Sequence, residues 1–173
     1  MKFFCQTIHR FIIAGCALFL FPVDILAATY QVTQVATGLG IPWGMSFQSE
    51  NEILFTERKG RLGIVNIDSG EVNYLSGLPE IIANGQGGFM DVAKPTNNEI
   101  ADWTYFTYVK PIDAAGNGET TLARAHISKD GIFDWQDLLV THSLFGVIFD
   151  VTGIAWGSDR HFGSRIAFDD THL

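Results

Sequence analysis

Residues 43–75 hold four short apolar runs of about five residues, each ended by a polar or glycine-bearing turn of two to four residues. That rhythm fits an antiparallel meander of strands and little else. The first run is 43–47. Glu50-Asn51-Glu52 turns the chain into 53–58, Lys59-Gly60 into 62–67, and Asp68-Ser69-Gly70 into 71–75. Val, Ile, Phe and Thr fill the runs because β-branched and aromatic side chains pack well on a pleated surface. Gly, Asn and Asp sit at the breaks, where a tight turn needs unusual backbone angles. Alternation around Tyr30, Val32 and Val35 predicts a further, opening strand over 29–37. No segment carries a helical period with caps at both ends.

The rhythm then restarts. Strands are expected over 87–93, which is rich in small residues, over the aromatic run 103–109, and over 121–127 and 133–140. Gly116 and Gly118 mark a hairpin loop, Lys129-Asp130-Gly131 a turn, and 143–156 a long loop. Three segments share a plan of an aromatic or Gly, then Gly, then a small or apolar alternating run. They are Trp43-Gly44-Met45-Ser46-Phe47, Gly87-Gly88-Phe89-Met90-Asp91-Val92 and Phe162-Gly163-Ser164-Arg165-Ile166-Ala167-Phe168. Gly44 and Gly88 lie 44 residues apart, about the length of one four-stranded propeller blade; Gly163 follows after 75 more. The expected fold is therefore all-β: the first two blades of a β-propeller and the start of a third. The three repeated segments would be innermost strands, where small residues suit a crowded axis. Two blades cannot close a ring, so 29–173 reads as the first part of a longer propeller domain.

Residues 1–28 read separately, as a secretory signal peptide. Lys2 and Arg10 precede an apolar core over 11–21, Pro22 ends it, and Ala27-Ala28 offers a cleavage site. The core is short for a bilayer span, so no membrane span is expected after cleavage. Ile13-Ala14-Gly15-Cys16 resembles a lipobox, and lipoprotein anchoring at Cys16 is the weaker alternative. The expected location is periplasmic or secreted. Cys5 and Cys16 are the only cysteines, both in this leader, so 29–173 is held by packing rather than disulfides. Loss of Lys2, Arg10 and Asp24 takes the net charge from −8 to −9, which argues against nucleic acid or an anionic membrane surface as partner. A neutral ligand suits such a surface, and its acidic groups suit a hard cation.

Four stretches taken in order resemble the glucose/sorbosone dehydrogenase family. They are Ile41-Pro42-Trp43-Gly44-Met45-Ser46-Phe47; Thr56-Glu57-Arg58-Lys59-Gly60-Arg61-Leu62; Gly85-Gln86-Gly87-Gly88-Phe89-Met90-Asp91-Val92-Ala93; and His161-Phe162-Gly163-Ser164-Arg165-Ile166-Ala167-Phe168-Asp169. The resemblance implies a six-bladed β-propeller that uses pyrroloquinoline quinone (PQQ) and Ca²⁺ to oxidise an aldose at its anomeric carbon to a lactone. It also implies an external electron acceptor. After Ala93 the family commonly shows His-Pro-Asp-Phe, where this chain has Lys94-Pro95-Thr96-Asn97. The family's calcium ligands and its basic grip on PQQ fall beyond Leu173, so the 173-residue chain is expected to be inactive alone.

His161 matches the family's general base, and an imidazole suits the task because its ordinary pKa lies near 6.5. Without the resemblance, a lone histidine ahead of a strand reads as a loop cap. Gln86 matches a pocket glutamine whose amide both donates and accepts, as a sugar hydroxyl or quinone carbonyl requires. The glycines around it are expected to let a flat cofactor approach the backbone. Arg165 is a candidate for an anionic cofactor carboxylate, with a salt bridge between blades as its other reading. Asp91 is expected to satisfy neighbouring backbone, and Glu57-Arg58 to be an ion pair or a loop anchor. His126 and His142 have no partner at metal-ligand spacing, and Asp169-Asp170 reads as a turn. The rival to an enzyme is an exported, non-enzymatic propeller that binds sugar or protein, since fold does not fix function.

Overall fold

The computed structural model describes residues 30–95, 102–114, 116–141, 162 and 165–168. The chain divides into two compact units, Met1–Thr33 and Gln34–Leu173. Of the first, residues 30–33 are described; they are exposed and carry no regular structure. The second holds eight strands: β1 (Pro42–Phe47), β2 (Glu52–Glu57), β3 (Arg61–Asn66), β4 (Val72–Leu75), β5 (Phe89–Ala93), β6 (Thr104–Pro111), β7 (Gly118–Ser128) and β8 (Gly131–Val140). They form two four-stranded antiparallel sheets in simple meander order, β1-β2-β3-β4 and β5-β6-β7-β8. This is the predicted pair of blades.

The turns sit where the sequence puts them. Gly60 has φ +89° and closes the β2–β3 turn by donating its N–H to Glu57 O at 2.9 Å. In the β3–β4 turn the Asn66 side-chain oxygen accepts from the amides of Asp68 (3.1 Å) and Ser69 (2.9 Å), and Gly70 takes φ +71°. Both are cases of a short side chain, or none, letting the backbone reverse.

The core lies between the two sheets. Leu54 and Leu62 from the first meet Phe89, Val92, Phe106, Tyr108, Ala123, Ala125 and Ile132 from the second. Leu54, Leu62, Phe89 and Phe106 are fully shielded from solvent, and each such side chain contributes about 1.5–3 kcal/mol by burial. Trp135 extends this layer, stacking on Phe106 at 5.1 Å between ring centres. It reaches inward because the β7–β8 register shifts beside it, where Asp134 takes φ 54° as the extra residue of a bulge.

The inner strands β1 and β5 repeat one another in detail. Each breaks register at the same point, β1 between Pro42 and Met45 and β5 between Phe89 and Val92. At each break the freed amide donates to a threonine hydroxyl on the next strand: Gly44 N to Thr56 at 2.9 Å, Asp91 N to Thr107 at 3.0 Å. The equivalent of Gly44 is therefore Asp91, and not Gly88 as the glycine-to-glycine spacing suggests. Thr56 also donates its hydroxyl hydrogen across to Met90 O at 2.5 Å, tying the first sheet to the second. A Cβ on Gly44 would lie 2.9 Å from both Met90 O and the Asp91 Cα. Gly44 is a glycine because the neighbouring inner strand occupies its side-chain space.

Two other expectations change. Residues 34–40 form no strand; alternation sets which side chains share a face but supplies no partner edge. Residues 165–168, expected in a third inner strand, carry no strand ladder among the described residues. They lie against the second sheet all the same, through Asp91 and through Phe168, which packs edge-on to Tyr105 at 5.3 Å. The predicted loop over 143–156 lies outside the described residues.

Candidate active-site rim

The chain enters each inner strand through a glycine-bearing loop, and these loops share one rim. Glu57 and Arg58, at the end of β2, organise it. Glu57 is almost fully buried. Its carboxylate accepts from Gly40 N (2.7 Å), Tyr74 OH (2.7 Å) and Arg61 Nε (2.5 Å). The ion pair is thus Glu57–Arg61, two residues directly opposite in the β2–β3 register. It is not Glu57–Arg58. Burial by itself would push the Glu57 carboxyl up; the hydrogen bonds from Gly40, Tyr74 and Arg61, with the Arg61 charge, hold it below its ordinary value of 4.5. A depressed folded-state pKa gives stability that is present above the unfolded value and lost as pH falls through the folded one. Urea midpoints should therefore drop as pH falls from about 6 to 3, and Glu57→Gln should flatten that drop, though with a lower plateau near neutrality. An unchanged slope in the variant would show that other carboxyls carry the acid sensitivity.

Arg58 anchors the loop ahead of β5. Its Nε donates to Gly87 O at 3.0 Å and its Nη2 to Gly85 O. Gly85 N donates to the Asn84 side chain and Gly87 N to Asn84 O, both at 2.8 Å. Gln86 is the exposed tip of this pinned turn. Gly87 and Gly88 do not leave open space for a cofactor. A Cβ on Gly87 would lie 2.7 Å from Val109 and 3.1 Å from the Phe162 ring, and one on Gly88 would lie 2.3 Å from Arg58 O. Protein atoms already fill those positions.

Phe162 brings the third segment to the same rim. It is the residue after His161, and it touches the loop that carries Gln86. His161 lies outside the described residues, as do His142, Asp169 and Asp170. Four residues past His161, Arg165 is largely exposed and pairs with the buried Asp91 at 3.2 Å. The other Asp91 oxygen accepts from Ile166 N at 2.8 Å. Asp91 satisfies neighbouring backbone, and Arg165 forms a bridge between segments. His126 is packed against Trp103, with ring centres 3.8 Å apart, while Arg124 covers the indole at 4.0 Å. This stack belongs to the second sheet, away from the rim.

Of the two readings of Glu57-Arg58, ion pair or loop anchor, the second holds for Arg58; the acceptors it takes and the pairing of Glu57 with Arg61 were missed. The pairing was legible: Glu57 and Arg61 flank a three-residue turn, which sets opposite charges face to face. The acceptors were not, because they are glycine carbonyls.

Comparison with known proteins identifies this arrangement. The family model for glucose/sorbosone dehydrogenases matches residues 39–173. The chain belongs to the glucose/sorbosone dehydrogenase family. An uncharacterised protein of Synechocystis sp. is 33 % identical over 83 % of this chain and 34 % of its own length. The aldose sugar dehydrogenase YliI of Escherichia coli is 28 % identical over 82 % and 36 %. A crystal structure of glucose dehydrogenase matches 82 % of this chain and 38 % of its own at 25 % identity, with TM-score 0.66. The PQQ-bound aldose sugar dehydrogenase of Streptomyces coelicolor shares the fold at 18 % identity and TM-score 0.55, over 63 % and 33 %. The chain thus spans about a third of the length of the curated relatives it matches.

In this glucose/sorbosone dehydrogenase family member, the rim residues limit what a quinone or a cation could meet. Gln86 is a polar group of the kind a quinone carbonyl or a sugar hydroxyl takes. The positions beside Gly87 and Gly88 are filled, Arg58 is held by two carbonyls and Arg165 by Asp91. Among the described residues no cluster of His, Cys, Asp or Glu could hold a metal ion. Gly87, Gly88, Arg58 and Arg165 are thus engaged by protein atoms, and Gln86 supplies the side chain whose chemistry suits the quinone. Among the described residues no helix is long and apolar enough to cross a membrane.

Proposed function

We propose that this region forms the first part of the sugar-binding rim of an exported, PQQ-dependent aldose dehydrogenase, with residues 1–28 as its secretory leader. One observation carries the reading: the loop bearing Gln86 is packed against Phe162, the chain neighbour of His161. The loop of Gln86 and the residue next to His161, picked out separately in the sequence, thereby meet.

In this reading Gln86 takes a hydroxyl of the sugar or a polar edge of the cofactor. His161, neutral at the working pH, accepts the proton of the anomeric hydroxyl as hydride leaves the anomeric carbon. The sugar loses two electrons and becomes a lactone. PQQ supplies the two-electron acceptor when bound, Ca²⁺ would hold it, and an external acceptor receives the electrons in turn. Arg165, paired with Asp91, contributes to the cationic side of the site.

The test is dye reduction by a complete propeller carrying this region, given PQQ, Ca²⁺ and glucose or another aldose. Sugar-dependent reduction with lactone as product is expected, and none is expected from the 173-residue chain alone. Sugar binding without turnover in the complete propeller would sink the enzymatic reading in favour of a binding module.

A further inference from the structure

We infer that Arg58 is the positioning residue of the Gln86 loop, acting on bound sugar or quinone through that loop and touching neither itself. The inference rests on the reading of Gln86 as a ligand-facing group. Three features support it.

First, Arg58 is a fixed post. Its N–H donates to Ile41 O and its C=O accepts from Phe89 N, both at 2.9 Å. Its Cα is therefore held between the chain leading into β1 and the start of β5. Second, its guanidinium takes the carbonyls on either side of Gln86, Gly87 O through Nε and Gly85 O through Nη2. A planar fork can hold two acceptors at once, which an ammonium cannot do with the same geometry. Third, the loop has been emptied of side chains to admit this contact. A Cβ at Gly88 would meet Arg58 O at 2.3 Å and Arg58 Cγ at 2.7 Å. The loop amides of Gly85 and Gly87 are bound by Asn84 and its carbonyls by Arg58. Gln86, an exposed residue, then sits on a turn with little freedom left. Such pre-ordering matters because a displacement of about 1 Å in a group that positions substrate can cost 100-fold in rate.

The test uses the complete, PQQ-reconstituted dehydrogenase for kinetics and the cofactor-free protein for hydrogen–deuterium exchange. Arg58→Ala should lower kcat/KM for aldose by about 10- to 100-fold. Arg58→Lys should restore only part of the loss, and added guanidinium should partly rescue Arg58→Ala. Exchange at the amides of 85–89 should quicken by about tenfold or more, while the β2–β3 ladder keeps its protection. The double variant with Gln86→Ala should lose no more than Gln86→Ala alone. Additive losses, or loosening of the whole first sheet, would make Arg58 an ordinary structural residue and overturn the inference. Unchanged exchange and kinetics in Arg58→Ala with an impaired Gln86→Ala would overturn it while leaving the Gln86 reading standing. A silent Gln86→Ala would remove that reading and the inference with it.

Discussion

In a complete, cofactor-loaded protein, His161→Gln is expected to lower kcat for aldose oxidation by about 100- to 10,000-fold, the range that a positioned general base supplies. Glutamine approximates the size of the imidazole and still hydrogen-bonds, so sugar binding should change far less than turnover. It cannot take up a proton near neutral pH. The rise of kcat/KM with pH through an ordinary histidine value of about 6.5 should therefore vanish in the variant. Both readouts are needed, because a histidine that only capped the loop would lower activity without reshaping the pH profile. Retention of near-normal oxidation by His161→Gln would refute the assignment.

The largest structural effect is expected from Gly88→Ala. Gly88 has φ +148°, a backbone region essentially confined to glycine, and forcing another residue there costs about 1–3 kcal/mol. The added Cβ would also lie 2.3 Å from Arg58 O, a backbone atom that cannot swing aside. Together these should exceed about 3 kcal/mol, a large share of the roughly 5–15 kcal/mol that holds a domain folded. Gly116 is the control. It has φ +86°, with nothing within 4 Å of its absent Cβ. Gly116→Ala should cost about 1 kcal/mol, from backbone strain alone. Thermal melts of the two variants separate the effects: a drop for Gly88→Ala no greater than for Gly116→Ala would mean that Arg58 yields.

The eight strands were legible because their turns are written in side chains. Lys59-Gly60 and Asp68-Ser69-Gly70 fall between the strands they were expected to separate, and Lys129-Asp130 does so with Gly131 opening β8. What stayed hidden is written in backbone. The inner-strand bulges depend on where one N–H escapes the ladder, so the match of Gly44 to Gly88 looked natural and was off by three residues. The true equivalents, Gly44 and Asp91, share no chemistry. They share a place, filled in the first sheet by its neighbour and in the second by a carboxylate that reaches Ile166. An opening strand was expected from alternation alone, which says nothing about a partner edge. On the rim, Gln86 and Arg165 could be picked out by motif. The role of Arg58 could not, because what it grips has no side chain to read.

Two side-chain-to-main-chain contacts between successive segments also share a direction. Thr56 reaches forward to Met90, and Asp91 reaches forward to Ile166. In both, the earlier segment supplies the side chain and the later one the main-chain group that is caught. Order in such a series propagates as in a one-dimensional array, each unit borrowing stability from its neighbour. Loss of the Thr56 hydroxyl or of the Asp91 carboxylate should therefore loosen both the segment that carries it and the one that follows.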